Sequence, residues 1–288
     1  MVITEYEDGV RDNVRKARQA GKKVVLIPTM GALHEGHLSM VRLVAADESE
    51  RERERTYVVM SVFVNPLQFG PGEDFAAYPR DLRRDAELAR QEEVDLLFVP
   101  SAQEIYPPGS QTTVQVADLA AGLCGAARPG HFTGVATVVT KLLNIVQPDE
   151  AVFGQKDYQQ FAVLERMVAD LKLPLRLRLA PTVREPSGLA LSSRNAYLNW
   201  EEKKQAAGIY ASLRAAAELI GRGQRDAAAV ADFLRGALER ETRGRVEYAE
   251  VRQKKDLLPV AAISKSVVLL AAVFIGRTRL IDNLIVEV

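Results

Sequence analysis

Short apolar runs alternate with helical repeats along the first two-thirds of the chain. Residues 24–27 read Val-Val-Leu-Ile and precede Pro28, which predicts a buried strand that ends at the proline. Similar patterns predict strands at 57–64, 95–99, 151–153 and 175–179, and helices at 38–46, 82–93, 135–146 and 158–171. Repeated strand–helix units imply a parallel sheet with helices on both faces, so we predict an α/β fold here.

The pattern changes near residue 200. Two Ala-rich helices, at 201–221 and 225–241, precede three apolar strands at 246–252, 266–275 and 279–288. Helices followed by strands favour a smaller α+β domain. Pro186 and Gly188 lie between the two patterns and place the boundary within 181–188. We therefore predict domains at 1–183 and 184–288.

The charge balance argues against one class of partner. Lys and Arg together number 38, as do Asp and Glu, so the formal net charge is zero. Without a global positive field, we do not expect the chain to bind nucleic acid. A mixed Glu/Arg run at 48–55 is typical of a solvated helix end or loop.

Cysteine usage and the N-terminal sequence favour the cytoplasm. Cys124 is the single cysteine, which fits a reducing compartment, although a secreted protein without disulfides would share this feature. The N-terminal residues do not resemble a signal peptide. The longest apolar run, 267–275, is too short to cross a bilayer, so we expect no membrane partner.

Polar residues follow several of the predicted strands. His34, Asn65, Gly154 and Thr182 each come just after one. Because ligands of parallel sheets bind beyond the carboxyl ends of the strands, we expect these residues to meet at one rim.

The segment from Pro28 to His37, Pro-Thr-Met-Gly-Ala-Leu-His-Glu-Gly-His, joins a strand to a helix. Its glycines allow backbone to approach a ligand, and the helix start favours an anion. His34 and His37 share a helical face, which predicts a phosphate cradle with two imidazole donors. The alternatives are structural histidines and a zinc site, but His-x-x-His lacks the spacing of helical zincins.

Lys156 stands in a second strand–Gly–helix junction, Phe-Gly-Gln-Lys-Asp-Tyr-Gln-Gln, which begins at Phe153. A lysine at a helix start is unfavourable unless an anion binds there, so we weigh phosphate contact against a solvated lysine. Asp157 is a candidate helix cap. Leu191-Ser-Ser-Arg-Asn offers Arg194 and two hydroxyls as an oxyanion clamp, and the same residues would also make a capping turn.

Neutral polar groups follow the second strand in Phe63-Val-Asn-Pro-Leu-Gln-Phe-Gly. Asn65 and Gln68 supply uncharged donors and acceptors, which suit a small hydroxy acid. His131, in Arg-Pro-Gly-His-Phe-Thr-Gly, is either a ligand group or only a residue at a helix start.

Together these segments, with Tyr-Pro-Arg-Asp at 78–81, resemble the pantothenate synthetase family of the nucleotidyltransferase superfamily with a HIGH-type motif. The resemblance runs in order through residues 24–198. It implies a Rossmann-like domain that binds ATP and pantoate, a C-terminal lid domain and a homodimer. It also implies an enzyme that condenses pantoate with β-alanine through a pantoyl-adenylate, with ATP as a substrate and Mg²⁺ as its metal.

The resemblance also assigns residues. It implies that His37 acts as a general acid and that Gln68 and Gln160 hold pantoate, with Gln68 also beside β-alanine. We place His34, Lys156 and Arg194 with His37 as catalytic residues, and Asn65 with the two glutamines as a substrate contact. The residues expected to contact ATP are Met30, Gly31, Ala32, Leu33, His34, Glu35, Gly36, His37, Gly154, Gln155, Lys156, Asp157, Val183, Leu191, Ser192, Ser193 and Arg194. Asp85 is a weak candidate for a magnesium ligand, because its neighbour Arg84 opposes an acidic pair.

Three other functions remain as alternatives to this ligase. They are a nucleotidyltransferase that moves AMP or CMP onto a phosphate, a tRNA-binding synthetase-like protein, and a nucleotide sensor without activity. The zero net charge opposes the second of these.

Overall fold

The structure is a computed structural model that describes residues 1–46 and 55–288. Its first sheet has six parallel strands in the order β1-β4-β3-β2-β5-β6. These strands are β1 Val2–Thr4, β2 Lys23–Thr29, β3 Thr56–Val62, β4 Leu96–Phe98, β5 Glu150–Gly154 and β6 Arg176–Ala180. The helices of this part are α1 Glu7–Gln19, α2 Glu35–Ala46, α3 Leu82–Gln91, α4 Ala102–Ile105, α5 Cys124–Ala127, α6 His131–Val146 and α7 Tyr158–Asp170.

Helices cover both faces of this sheet. Consecutive residues of a strand point to opposite faces, and Val24, Val25, Leu26 and Ile27 of β2 are all fully buried. Val25 and Ile27 belong to a core cluster that includes Met40 of α2. The predicted α/β architecture is therefore confirmed.

The C-terminal part has a second, smaller sheet. Helices α8 Trp200–Gly221 and α9 Ala227–Thr242 precede the antiparallel strands β7 Arg245–Gln253, β8 Val267–Ile275 and β9 Thr278–Val286. Leu213 of α8, Leu234 of α9 and Leu269 of β8 are fully buried in one apolar cluster. Asn199 and Glu202 form a capping box at the start of α8. The α+β class predicted for this part is confirmed.

Contacts within the chain define two compact units. The first comprises Met1–Gly154 and Val163–Ala180, and the second comprises Gln155–Ala162 and Pro181–Val288. The division falls after Ala180, within three residues of the predicted boundary at 183/184. The grouping of residues 155–162 with the C-terminal residues was not predicted.

Two features of the first unit differ from the sequence-based prediction. No element was predicted before residue 24, yet β1 pairs with β4 and α1 follows it. The prediction that the strand beginning at Val24 ends at Pro28 is wrong, since Pro28 pairs with Ser61 and β2 continues to Thr29. Pairing of β2 with β5 stops at Leu26, so the sheet tolerates a proline beyond that point.

The prediction for residues 48–55 lies, apart from Arg55, outside the described residues. Within the described residues, no helix is long and apolar enough to cross a membrane.

Candidate active site

The order of the strands defines where a ligand binds to the first unit. From β2 the chain builds the sheet in one direction through β3 and β4, and β5 and β6 lie on the other side of β2. This reversal creates a topological switch point between β2 and β5, and ligands of open parallel sheets bind beyond the carboxyl ends at such a point. Strand β2 ends at Thr29, just before the Gly-rich segment, and β5 ends at Gly154.

Asp85 anchors the Gly-rich segment. Its Oδ2 accepts the backbone N–H of Ala32 at 2.9 Å, and its Oδ1 accepts that of Leu33 at 2.7 Å. Gly31 has a φ of +78°, and a Cβ there would lie 2.9 Å from Asp85 Oδ2. Only glycine fits this position without displacing the carboxylate.

This geometry argues against Asp85 as a magnesium ligand. Both of its oxygens already accept backbone N–H groups, and the residue is 2 % exposed. Burial raises the pKa of the Asp85 carboxyl, while the two backbone hydrogen bonds oppose that rise. Among the described residues, no group of three or more His, Cys, Asp or Glu could hold a metal ion, so neither the zinc alternative nor a protein-built magnesium site gains support.

The two histidines form the start of α2. Nδ1 of His34 accepts the backbone N–H of Gly36 at 3.1 Å, and Nδ1 of His37 accepts the backbone N–H of His34 at 3.3 Å. This reciprocal pattern is the imidazole counterpart of a capping box. The ring centroids are 4.1 Å apart, so the two side chains share a face as their spacing predicts.

These hydrogen bonds also fix the tautomer of both histidines. A nitrogen that accepts a hydrogen bond carries no proton, so the proton of each neutral ring lies on Nε2. In its neutral form each ring therefore carries its N–H on Nε2, near the positive end of α2. Glu35, between them, pairs with Arg42, and the hydrogen bond from Arg42 lowers the pKa of the Glu35 carboxyl.

Asn65 and Gln68 are joined by a hydrogen bond after β3. Asn65 is fully buried, and its Nδ2 donates to Gln68 Oε1 at 3.0 Å. His131, at the start of α6, has Nδ1 2.8 Å from the main-chain oxygen of Gln68. His131 is therefore more than a helix-start residue, because it holds the backbone of Gln68.

In the second unit, residues 155–157 form a 3₁₀ turn before α7, so Lys156 precedes the helix and does not lie in its first turn. The Lys156 side chain is 21 % exposed, and its Nζ lies 3.6 Å from a carboxylate oxygen of Asp157, whose side chain is 48 % exposed. A partly exposed pair at this distance contributes little, about 1 kcal/mol or less, so an anion could compete with Asp157 for the ammonium. Gln160 lies partly buried on α7.

Two neighbouring residues of β9, Asp282 and Asn283, organise the predicted ATP contacts of the second unit. Asn283 Nδ2 donates to the main-chain oxygens of Gln155 at 2.8 Å and Lys156 at 3.0 Å. Asp282, 4 % exposed, accepts two hydrogen bonds from the Arg184 guanidinium, at 2.6 and 2.9 Å. Neither residue was predicted from the sequence, although an Asp-Asn pair inside an apolar strand indicates buried polar groups with partners.

Arg184 begins a short hairpin that holds two more predicted contacts. Leu191 donates its N–H to the Val183 oxygen at 3.0 Å, and Arg184 pairs with Ala190. Ser192 then accepts the N–H of Arg194 and caps a 3₁₀ turn that includes Ser193. The capping role considered for this segment is therefore observed for Ser192.

The site residues are thus divided between the units. Met30 to His37, Asn65, Gln68 and Gly154 belong to the first, whereas Gln155 to Asp157, Gln160, Val183 and Leu191 to Arg194 belong to the second. Of the four residues expected at one rim, His34, Asn65 and Gly154 lie at or after the carboxyl ends of the parallel strands β2, β3 and β5. Thr182 belongs to the second unit, and its place at this rim stays a prediction.

Comparison with known proteins identifies the family of the chain. The profile of the family described as pantoate-beta-alanine ligase matches residues 2–285. A pantothenate synthetase from Moorella thermoacetica is 50% identical over 100% of this chain and 99% of its own length. One from Thermotoga neapolitana is 47% identical over 99% of both chains.

Solved structures agree as well. Pantothenate synthetase from Thermus thermophilus matches with a TM-score of 0.89 and 44% identity over 99% of both chains. Pantoate-beta-alanine ligase from Francisella tularensis, described as complexed with beta-gamma ATP and beta-alanine, matches with a TM-score of 0.77 and 32% identity, over 99% of this chain and 97% of its own. From the fold, the paired histidines and these relatives together, the chain belongs to the pantoate-β-alanine ligase family.

Proposed function

We propose that this chain joins pantoate to β-alanine in two steps, first forming an enzyme-bound pantoyl-adenylate from pantoate and ATP. The observation that carries the proposal is the pair of adjacent imidazoles of His34 and His37 at the start of α2, beyond the carboxyl end of β2, each with Nδ1 accepting a backbone N–H. The relative from Francisella tularensis supports ATP and β-alanine as ligands.

In the first step, a pantoate carboxylate oxygen attacks the α-phosphorus of ATP and diphosphate leaves. Both reactants are anions, and two unit charges about 4 Å apart repel by roughly 4 kcal/mol at an effective dielectric near 20. Lys156, Arg194 and the two histidines reduce this repulsion in the proposed site. His37 donates to the leaving diphosphate, and such a donor favours the transition state because charge develops there.

In the second step, the β-alanine amine attacks the carbonyl carbon of the adenylate and AMP leaves. Gln68 and Gln160 hold pantoate, and Gln68 also lies beside β-alanine. Water would compete for the adenylate, so the lid role of the C-terminal domain is part of the proposal. No covalent enzyme nucleophile is required.

Magnesium enters this proposal with ATP. Mg²⁺ commonly binds through substrate phosphates and only one or two carboxylates, so a dedicated protein cage is not needed. It neutralises phosphate charge when bound. We further propose a homodimer, on the basis of the family resemblance alone, and a cytoplasmic location, on the basis of the single cysteine and the N-terminal sequence.

The experiment is mass spectrometry of reactions that contain ATP, Mg²⁺, pantoate and β-alanine, with each omitted in turn. We expect pantothenate and AMP only in the complete mixture, and pyrophosphate–ATP exchange without β-alanine. A dinucleotide or CDP-type product would instead support the nucleotidyltransferase alternative, and ATP binding without turnover would support a sensor. Salt-dependent RNA binding would support the tRNA-binding alternative.

A further inference from the structure

Asn65 is held by four hydrogen bonds although it is fully buried. Its Oδ1 accepts from the N–H of Leu67 at 3.3 Å and from the hydroxyl of Tyr106 at 2.9 Å. Its Nδ2 donates to the main-chain oxygen of Gly134 at 3.1 Å and to Gln68 Oε1 at 3.0 Å. These bonds use both donors and both acceptor positions of the amide.

The backbone fixes the direction of this amide. An N–H can only donate and a carbonyl oxygen can only accept. If the Asn65 amide turned over, its NH₂ would face the Leu67 N–H and its oxygen would face the Gly134 oxygen. Both contacts are repulsive and buried, so the observed direction is strongly preferred.

The direction of Asn65 sets the direction of Gln68. Because Asn65 presents an N–H, the Gln68 amide must present its oxygen in return. Its Nε2 end, with two N–H donors, is therefore directed away from Asn65. Gln68 itself is 8 % exposed, and its main-chain oxygen is held by Arg128 at 3.1 Å as well as by His131, so the side chain extends from a fixed backbone.

Close packing of Gly134 against Leu67 holds the two backbone groups that orient Asn65, the Leu67 N–H and the Gly134 oxygen. A Cβ built on Gly134 of α6 would lie 2.1 Å from the Leu67 oxygen. Glycine at this position lets α6 approach the 66–68 turn closely enough for the Gly134 oxygen to reach Asn65.

We propose that Asn65 is a positioning residue that acts through Gln68 and, contrary to the substrate contact predicted for it from the sequence, does not itself contact substrate, since it is fully buried and both ends of its amide are already bonded. It turns the Gln68 amide so that Gln68 offers N–H donors, and the site therefore selects a ligand with an oxygen acceptor there, a carboxylate or hydroxyl oxygen of the hydroxy acid. The inference rests on the proposed function, which makes Gln68 a pantoate contact. Tyr106 completes the hold on Asn65.

The test compares Asn65→Asp in the wild-type and Gln68→Ala backgrounds, with the surface change Asn144→Asp as a matched control. A carboxylate can still accept from Leu67 and Tyr106 but cannot donate to Gln68 Oε1, so Gln68 turns its Nε2 toward residue 65. We expect the KM for pantoate in pyrophosphate–ATP exchange to rise by about 10- to 100-fold, the loss of a hydrogen bond to a charged group. The KM for ATP in Asn65→Asp, and the KM for pantoate in the Asn144→Asp control, should both stay within about threefold of wild type, because surface changes usually have small effects.

In the Gln68→Ala background, Asn65→Asp should add little to the KM for pantoate, because residues that act through one contact are not additive. A folded Asn65→Asp with an unchanged KM for pantoate, or one with a full additional effect in the Gln68→Ala background, would overturn the inference. If Asn65→Asp does not fold, Tyr106→Phe provides the test. We expect its KM for pantoate to rise by about threefold, because one hydrogen bond to Asn65 is lost. An unchanged KM for pantoate would contradict the inference.

Two failures can be told apart. An unchanged KM for pantoate in Gln68→Ala would remove Gln68 as a substrate contact and this inference with it, while the proposed reaction stands. A wild-type protein that makes no pantothenate would instead remove the proposed function.

Discussion

The predicted ligand groups of the two units are held in different ways. In the first unit, Asn65 and Asp85 are 0 % and 2 % exposed, and backbone N–H and C=O groups fix their orientation. In the second unit, Lys156 is 21 % exposed and its carboxylate partner Asp157 is 48 % exposed. In the first unit, buried hydrogen bonds from these side chains thus orient the Gln68 amide and the backbone of the Gly-rich loop, whereas in the second unit the Lys156 ammonium is only loosely paired.

The difference follows from the range of each interaction. An amide turned the wrong way offers an acceptor in place of a donor, so a neutral group is useful only in one orientation. The attraction between a cation and a phosphate falls slowly with distance and tolerates several orientations. Buried hydrogen bonds therefore orient the side chain of Gln68 and the Gly-rich loop. At Lys156 they hold only the main-chain oxygen, through Asn283, and the ammonium pairs with Asp157 at 3.6 Å.

The largest expected effects come from removing groups that face ATP in the proposed site. His37→Ala and Lys156→Ala should each slow pyrophosphate–ATP exchange by about 10²- to 10³-fold, the usual loss for one donor to developing charge. Melting temperature should change little in Lys156→Ala, because the lysine is loosely paired.

The exposed change Lys265→Ala is the control for Lys156 and should keep full exchange. Near-normal exchange in both His37→Ala and Lys156→Ala would refute this placement of the chemistry.

Removal of the Asp85 carboxylate, which anchors the Gly-rich loop, should mainly lower the free energy of unfolding. Asp85→Ala leaves the N–H groups of Ala32 and Leu33 without their acceptor, and each buried unsatisfied group costs about 1–3 kcal/mol. We expect urea unfolding to show a loss of about 2–3 kcal/mol, because water can reach part of the space left by the side chain.

Asp81→Ala is a matched control on the same helix, since Asp81 caps α3 by accepting the Arg84 N–H. Loss of a cap costs about 1 kcal/mol. Equal losses for the two variants would mean that Asp85 is an ordinary cap and not a loop anchor.

Two glycines distinguish close packing within the protein from space left for a ligand. A Cβ at Gly134 would lie 2.1 Å from the Leu67 oxygen, whereas a Cβ at Gly154 would meet no atom of the described residues within 4 Å. Gly134→Ala should lower the unfolding free energy by about 1–3 kcal/mol through overpacking. Gly154→Ala should keep its stability and raise the KM for ATP.

An unchanged KM for ATP in Gly154→Ala would argue against close approach of the nucleotide to that residue. Unchanged stability in Gly134→Ala would show that α6 and the 66–68 turn can separate without cost.

The smallest expected effect is a change in alkaline stability. Burial raises the pKa of Tyr106 to about 12, against the lowering effect of its bond to Asn65. The protonated phenol is favoured in the folded state, so its contribution is complete below the ordinary pKa near 10 and is lost as pH rises through about 12. Unfolding free energy should therefore fall less steeply over this range in Tyr106→Phe than in wild type.

Tyr57→Phe is the matched control, because burial also raises the pKa of Tyr57 to about 12, with a further increase from the charge of Asp95. It should reduce the same alkaline slope without changing the KM for pantoate. An identical slope in wild type and Tyr106→Phe would mean that Tyr106 titrates as an ordinary tyrosine.

Local patterns were enough to predict most of the fold and part of the site. The alternation of apolar runs and helical repeats located five of the six parallel strands, and the spacing of His34 and His37 placed them on one face. The first strand was missed because β1 has only three residues and lies at a sheet edge, where little burial is required. Such a segment has too few apolar positions to show a period.

The supporting residues could not be predicted in the same way. Asp85 bonds to a loop 52 and 53 positions earlier in the chain, and Asn283 bonds to residues 127 and 128 positions earlier. Periodicity reports only neighbours along one element. Asp85 on a helix and the pair Asp282 and Asn283 in a strand indicate that each has a polar partner. The sequence alone does not identify those partners.

The bonds from Asp282 and Asn283 tie two distant stretches of sequence, the 155–156 turn and the hairpin at 183–191, to one strand. Under the proposed function, nucleotide bound at these two stretches would restrain β9 through these hydrogen bonds. Amide hydrogen exchange along β9 should then slow in the presence of ATP, even at residues that do not contact the nucleotide.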